Sequence, residues 1–198
     1  NRFCPDENNL YPDCINGYEG PQTTTACFFP DVTCGNGEVE LWGECIVLNE
    51  SSNIFDNAAG EIPEEIGALT SLTELDLSES FLSGDIPEEI GDMSSLTALD
   101  LENNTLSGEI PEELGNLESL TELNLSDNAL SGDIPEELGD LSLLTDLDLS
   151  ENNLSGSIPD ELGDLDALTS LDLSGNDLIG DIPEELGDLD ALTSLDLS

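Results

Sequence analysis

The sequence predicts an α/β solenoid. It should carry a parallel β-sheet on a concave face and short 3-10 or α turns on the convex side, behind a disulfide-stapled N-terminal cap. Three observations predict this. Glycines recur every 24 residues, at Gly60, Gly84, Gly108, Gly132, Gly156 and Gly180, and prolines keep the same step from Pro63 to Pro183. An apolar frame moves with them: Leu96, Leu99, Leu101 and Leu106 return as Leu120, Leu123, Leu125 and Leu130, then as Leu144, Leu147, Leu149 and Leu154. All five cysteines, Cys4, Cys14, Cys27, Cys34 and Cys45, precede the repeats. A fixed period of this length marks stacked units, each burying its apolar face on its neighbours.

Residues 1–59 therefore read as a cysteine-containing cap with an irregular first coil, and residues 60–198 as the repeats. The cysteines form no CxxC pair and the chain has no His, so disulfides in an oxidising compartment are expected rather than zinc. Five is odd, which leaves one thiol free or paired with another chain.

Within a unit, "LTDLDLS" (residues 144–150) alternates apolar and polar residues, as a strand with one buried face does. Leu147 and Leu149 should point inward; Asp146, Asp148 and Ser150 should point outward. Asn152 follows where the chain turns, and its amide can bond backbone groups left unpaired there. Asn104, Asn128 and Asn176 would stack with it, while Ser80 interrupts that ladder. In "IPEELGDL", Pro135 opens a short helical turn and Gly139 ends it. About ten residues remain for the return, enough for 3-10 or short α turns only.

The pattern "LxxLTxLDLSxNxLSGxIPEELGDL" resembles the plant-type leucine-rich repeat, and "LSGxIP" is that subfamily's mark. The resemblance implies a twisted solenoid with a second, shorter strand run around "LSG". "DVTCGNGEVELWGEC" (residues 31–45) is similar to the cysteine-containing cap that precedes such repeats. The following "IVLNESSNIFDNAAGEIP" lacks the leucine pair, so a shortened first coil is expected. Proteins of this kind include receptor ectodomains, protease or glycanase inhibitors, adhesion modules and a few ice-binding proteins.

Charge narrows the function. Net charge is −46, from 47 acids against one base, Arg2. Thirty-seven of the acids lie after residue 60. Nucleic-acid binding through phosphates needs Lys and Arg and is excluded. Docking on an anionic membrane is disfavoured for the same reason. No apolar run reaches the length of a membrane span, so no direct membrane insertion is expected. The start at Asn1 fits a processed chain or a trimmed one, and the clustered cysteines lead to the expectation of an extracellular or cell-surface protein.

Four sets of residues are candidate sites. The outward strand column Asp76, Asp100, Asn124, Asp148, Asp172 and Asp196 brings like charges within about 5 Å, at a cost of roughly 1 kcal/mol per pair. Its five aspartates are weak Ca2+ candidates; no cofactor is required. The acid pairs after each proline, Glu64/Glu65 to Glu184/Glu185, suit the first turn of a helix and repeat too evenly to form a catalytic pair. Without His, no Ser-His or Cys-His nucleophile is available, so no enzyme is expected. The threonine column Thr73, Thr97, Thr121, Thr145, Thr169 and Thr193 raises ice binding, but it shares parity with the inward leucines. Sequons stand at Asn49, Asn103, Asn124 and Asn153.

The leading expectation is a secreted or surface-displayed, non-catalytic, salt-adapted structural protein that assembles by stacking. "GDLDALTSLDLS" occurs twice word for word, as in a material, and the chain stops at Ser198 just after a strand, so either further repeats continue past it or another molecule covers the end. Head-to-tail contacts between copies could extend such an array into a filament. The first alternative is a recognition or adhesion module using the concave face, with protein, carbohydrate or divalent cations as partners. The second is an ice-binding protein.

Overall fold

A computed structural model describes residues 38–42, 44–47 and 58–198. Two strands, β1 (Glu38–Leu41) and β2 (Glu44–Val47), form an antiparallel hairpin. Then come β3 (Ala59–Gly60), β4 (Glu74–Asp76), β5 (Phe81–Asp85), β6 (Ala98–Asp100), β7 (Thr105–Ser107), β8 (Glu122–Asn124), β9 (Ser131–Asp133), β10 (Asp146–Asp148), β11 (Asn153–Ser155), β12 (Ser170–Asp172) and β13 (Ser194–Asp196). Strands β4, β6, β8, β10, β12 and β13 build one six-stranded parallel sheet, in chain order. Its register sets Leu75, Leu99, Leu123, Leu147, Leu171 and Leu195 in a single row.

The expected shorter strand run is present. Strands β3, β5 and β7 pair in parallel, as do β9 and β11. Two bonds, Ala129 N–H to the Leu106 carbonyl at 2.8 Å and Ser131 N–H to that of Gly108 at 2.7 Å, carry the ladder across the gap. Gly132 sits in this run at φ +85°, a left-handed backbone that a Cβ disfavours, which explains the invariant glycine of "LSG". Each return segment is a five-residue 3-10 helix, from Glu64–Ala68 to Glu184–Asp188.

The hydrophobic core is continuous from Leu41 to Leu189. One unit alone buries Ile134, Leu138, Leu141, Leu144, Leu147, Leu149 and Leu154. At roughly 1.5–3 kcal/mol per side chain, their burial contributes on the order of 10 kcal/mol per unit, as an upper estimate. Repulsion between neighbouring carboxylates, at about 1 kcal/mol per pair, is an order smaller, so leucine and not charge decides whether the units stack. The hairpin joins this core through Leu41, which is 1 % exposed, and Trp42 Nε1–H donates to the Glu61 carbonyl at 3.1 Å.

Two internal ladders tie the units. From Thr97 to Thr193, each threonine of the column donates its hydroxyl to the carbonyl of the one before it, as Thr145 does to Thr121 at 2.9 Å. The asparagine ladder forms as expected. Asn152 Nδ2 donates to the carbonyls of Leu125, Leu149 and Ser150, and its Oδ1 accepts from Leu130 N–H at 3.0 Å. Asn104, Asn128 and Asn176 repeat this set. Ser80, the exception, reaches only the Ser78 carbonyl, at 3.2 Å.

Three expectations are corrected. The strand expected over 144–150 is three residues long, because the chain turns directly after Asp148. Ser150 does not face outward; it is 9 % exposed. Gly139 does not end the helical turn. That turn runs Glu136–Asp140 and is closed by the Leu141 N–H bonding the Leu138 carbonyl. Gly139 is there for closeness: a Cβ on it would lie 2.8 Å from the Cβ of Glu161 in the next unit and nearer still to that residue's carbonyl oxygen.

Candidate functional site

The outward face of the six-stranded sheet carries two side-chain columns. One runs Glu74, Ala98, Glu122, Asp146, Ser170, Ser194; the other runs Asp76, Asp100, Asn124, Asp148, Asp172, Asp196. The structure therefore brings the five candidate aspartates into register but breaks them into two groups at Asn124. Both columns are exposed or half-buried while Leu75, Leu99, Leu123, Leu147 and Leu171 between them are sealed.

The second column has a structural duty. Asp148 Oδ1 accepts from the Ser150 N–H at 2.9 Å and from its hydroxyl at 2.6 Å. Asp172 does the same with Ser174, Asp76 with Ser78, and Asn124 with Ser126. This is an Asx turn, in which a side-chain oxygen two residues back closes the bend after the strand. The signal was readable as Asp/Asn-x-Ser in "DLS" and "NLS". It also explains Ser150: its hydroxyl is held under the turn. A carboxylate here is thus a turn-former that also carries charge.

Asp100 is the odd member. Position 102 is Glu, so Asp100 receives the Glu102 N–H at 3.0 Å but no hydroxyl. Burial pushes its carboxyl above the ordinary value of 3.8; the Glu102 N–H opposes this, and Asp76 and Asp148 add to it. The end member Asp196, bonded by the N–H and hydroxyl of Ser198, is held below that value. Glu102 in turn accepts from Asn124 Nδ2 at 3.2 Å, so one amide in the column supplies a donor where a carboxylate would repel.

A raised folded pKa means that protonation favours the folded chain below 3.8, an advantage lost as pH rises through the folded value. Asp100→Asn keeps the turn, as Asn124 shows, and removes the buried charge. It should stabilise the protein at pH 7 by up to about 1 kcal/mol in low salt, and the gain should vanish in acid and shrink in high salt. Thermal melts at pH 3 and 7 check this.

The other candidates resolve differently. The first member of each acid pair is exposed, and from Glu89 on the second packs its Cβ beside the glycine of the preceding unit, as Glu161 does on Gly139. The threonine hydroxyls are committed to backbone carbonyls, which leaves no free hydroxyl row for ice. A depression of about 300 Å³ lies between two units on the flank, lined by Asp133, Glu136, Ser157, Asp160 and Glu161 among others. Among the described residues no three acids or thiols converge as a metal site would. Among them, too, no helix is long and apolar enough to cross a membrane. Cys4, Cys14, Cys27, Cys34 and Asn49 lie outside the described residues. So does most of the shortened first coil. Cys45 pairs through its backbone with Glu40 in the hairpin. Asn103 and Asn153 are exposed; Asn124 is half-buried.

Comparison with known proteins gives a consistent picture. The family described as "Leucine-rich repeat region" matches residues 53–157, and a single leucine-rich repeat matches residues 167–189. No curated protein matches the chain. Among solved structures, the ectodomain of the plant membrane receptor kinase GASSHO1/SCHENGEN3 from Arabidopsis thaliana, in complex with CASPARIAN STRIP INTEGRITY FACTOR 2, is 43 % identical. The match covers 70 % of this chain and 17 % of that one, with a TM-score of 0.69. The plant peptide hormone receptor RGFR1, in complex with RGF2, is 41 % identical over 71 % of this chain and 23 % of its own, with a TM-score of 0.70. A leucine-rich-repeat protein of Leptospira interrogans is 36 % identical over 70 % and 34 %, at a TM-score of 0.61. The chain therefore spans about a fifth of the length of the two receptors.

Proposed function

The chain belongs to the leucine-rich repeat family, and on that premise we propose that it is a non-catalytic recognition module at the cell surface or outside the cell. It presents the six-stranded sheet to a cationic peptide or protein segment. The observation that carries the reading is the sheet itself. Its outward columns place Glu122, Asp146, Asp148 and Asp172 on adjacent strands, the first two exposed and the last two half-buried, without a basic side chain among them. The likeness to two receptors solved with their ligands supports recognition over assembly. The assembly and ice-binding readings draw no such support.

Two charged columns, each stepping about 5 Å from strand to strand along the stack, suit an extended ligand lying across the strands, with Lys or Arg reaching alternate carboxylates. Opposite charge raises the rate of encounter more than it fixes affinity. Divalent cations act on this face as screening counter-ions, not as ligands of a built site, so calcium should compete weakly and without fixed stoichiometry.

The test is a set of three peptides of equal length, carrying four Lys, no charge or four Glu. Calorimetry at about 0.15 M salt should show saturable binding of the first only, weakening steeply as salt rises. Equal binding of the neutral peptide would sink the electrostatic reading.

A further inference from the structure

We propose that Asn103 and Asn153 are N-glycosylation sites and that Asn124, which carries the same motif, is not. This rests on the extracellular placement argued above. All three have the Asn-x-Ser/Thr pattern that an oligosaccharide transferase reads. Outside Asn49 no other residue of the chain has it.

The structure separates the three by what each asparagine already does. The motif at Asn124 is the Asx turn of its column. Asn124 Oδ1 accepts from the Ser126 N–H and hydroxyl, at 3.1 and 2.7 Å, and Nδ2 donates to Glu102. Both atoms of its amide are committed, and in the other units Asp holds this position. The "NLS" there is accounted for by the fold.

Asn103 and Asn153 have no such account. Both are exposed, and neither side chain bonds to the protein. Asn103 sits at φ +54° in the turn after β6, where Glu79, Asp127, Glu151 and Gly175 stand in other units. Asn153 opens β11, where Phe81, Thr105 and Ala129 stand in theirs, so nothing in the fold asks for asparagine at either place. The hydroxyl partner of each is on the same flank: Thr105 Oγ1 donates to the Leu82 carbonyl at 2.7 Å, and Ser155 Oγ to that of Gly132 at 3.4 Å.

In the transfer, the carboxamide nitrogen bonds to the anomeric carbon of an oligosaccharide carried on a lipid diphosphate. The lipid diphosphate leaves with the electrons of the broken C–O bond, and the nitrogen gives up a proton. The product is bulky and polar. Asn103 and Asn153 lie on the flank of the short strands, so their glycans would cover that flank. The carboxylate face of the six-stranded sheet would stay bare.

The experiment is to secrete the full chain from a eukaryotic host in an Asn49→Gln background. Peptide masses are then read before and after an amidase that converts glycosylated Asn to Asp. Conversion at both Asn103 and Asn153, with Asn124 unconverted, is the expected result. Asn103→Gln and Asn153→Gln should each remove one glycan from the intact mass. Conversion at Asn124, or none at Asn103 or at Asn153, overturns the assignment. Because sites are mapped in the parent chain, the result does not depend on any variant folding. Glycans at both sites with no binding of the cationic peptide would count against the recognition reading alone. Peptide binding by a chain bare at both would count against this inference alone.

Discussion

Asn152→Ala is expected to cost about 3 kcal/mol, the largest loss from any one polar side chain in the repeats. Asn152 is 8 % exposed and serves two neighbouring units at once. Its amide donates to the carbonyls of Leu125 in the unit before and of Leu149 and Ser150 in its own, and its Oδ1 holds the Leu130 N–H. Alanine leaves these backbone groups buried without partners, and each orphan costs about 1–3 kcal/mol. The penalty is not simply additive, since the turn can relax and admit water. Serine should recover only part, since Ser80 at the equivalent position reaches a single carbonyl. Asn153→Ala, one residue on, should change stability by less than about 0.5 kcal/mol. Urea denaturation gives the difference, and hydrogen exchange at the Leu130 amide shows whether the loss is local. Equal effects at 152 and 153 would contradict the ladder.

Gly139→Val should be comparably severe, about 2–4 kcal/mol. The obstacle is backbone of the next unit: the Glu161 carbonyl oxygen and Cβ crowd the place a side chain would occupy. Backbone cannot rotate away as a side-chain tip can, so the fourth and fifth units must separate. That separation weakens the contacts of neighbours, because a repeat array is held by its interfaces. Asp140 is the control. It is the next residue of the same 3-10 turn and is exposed, so Asp140→Val should change stability by less than about 0.5 kcal/mol. A matching loss at both positions would mean that helical-turn geometry, not crowding, sets the cost at Gly139.

These two cases show where the sequence was readable and where it was not. While the short strands around "LSG" followed from the resemblance to the plant-type repeat, period and alternation fix in-register stacking, so the leucine row, the 3-10 turns and the asparagine ladder could all be read in advance. So could the gap at Ser80. What escaped were contacts set by the path of the backbone between units. Gly139 looks like a helix terminator in one unit, and only the neighbouring carbonyl reveals its purpose. Asp148 looks like surplus charge until the chain is seen to bend back onto it, although Asp-x-Ser recurring in the column was a usable sign. Asp100 differs from its neighbours only because Glu102 replaces the serine, a change that matters through burial. The carboxylate column was legible as a column, and the register places Asn124 between its two groups, with Asp148 still acting on Asp100 across it.

The central claim is that the carboxylates of the sheet, and not acidity in general, select the ligand. Two charge-matched variants decide it. One neutralises the sheet with Glu122→Gln, Asp146→Asn, Asp148→Asn and Asp172→Asn. The other removes the same charge from the 3-10 flank with Glu88→Gln, Glu112→Gln, Glu136→Gln and Asp160→Asn. Calorimetry with the tetra-lysine peptide at about 0.15 M salt should show at least tenfold weaker binding for the first, about 1.4 kcal/mol, and less than twofold for the second. Equal weakening of both would contradict the account, because it would make the protein a diffuse polyanion with no binding face.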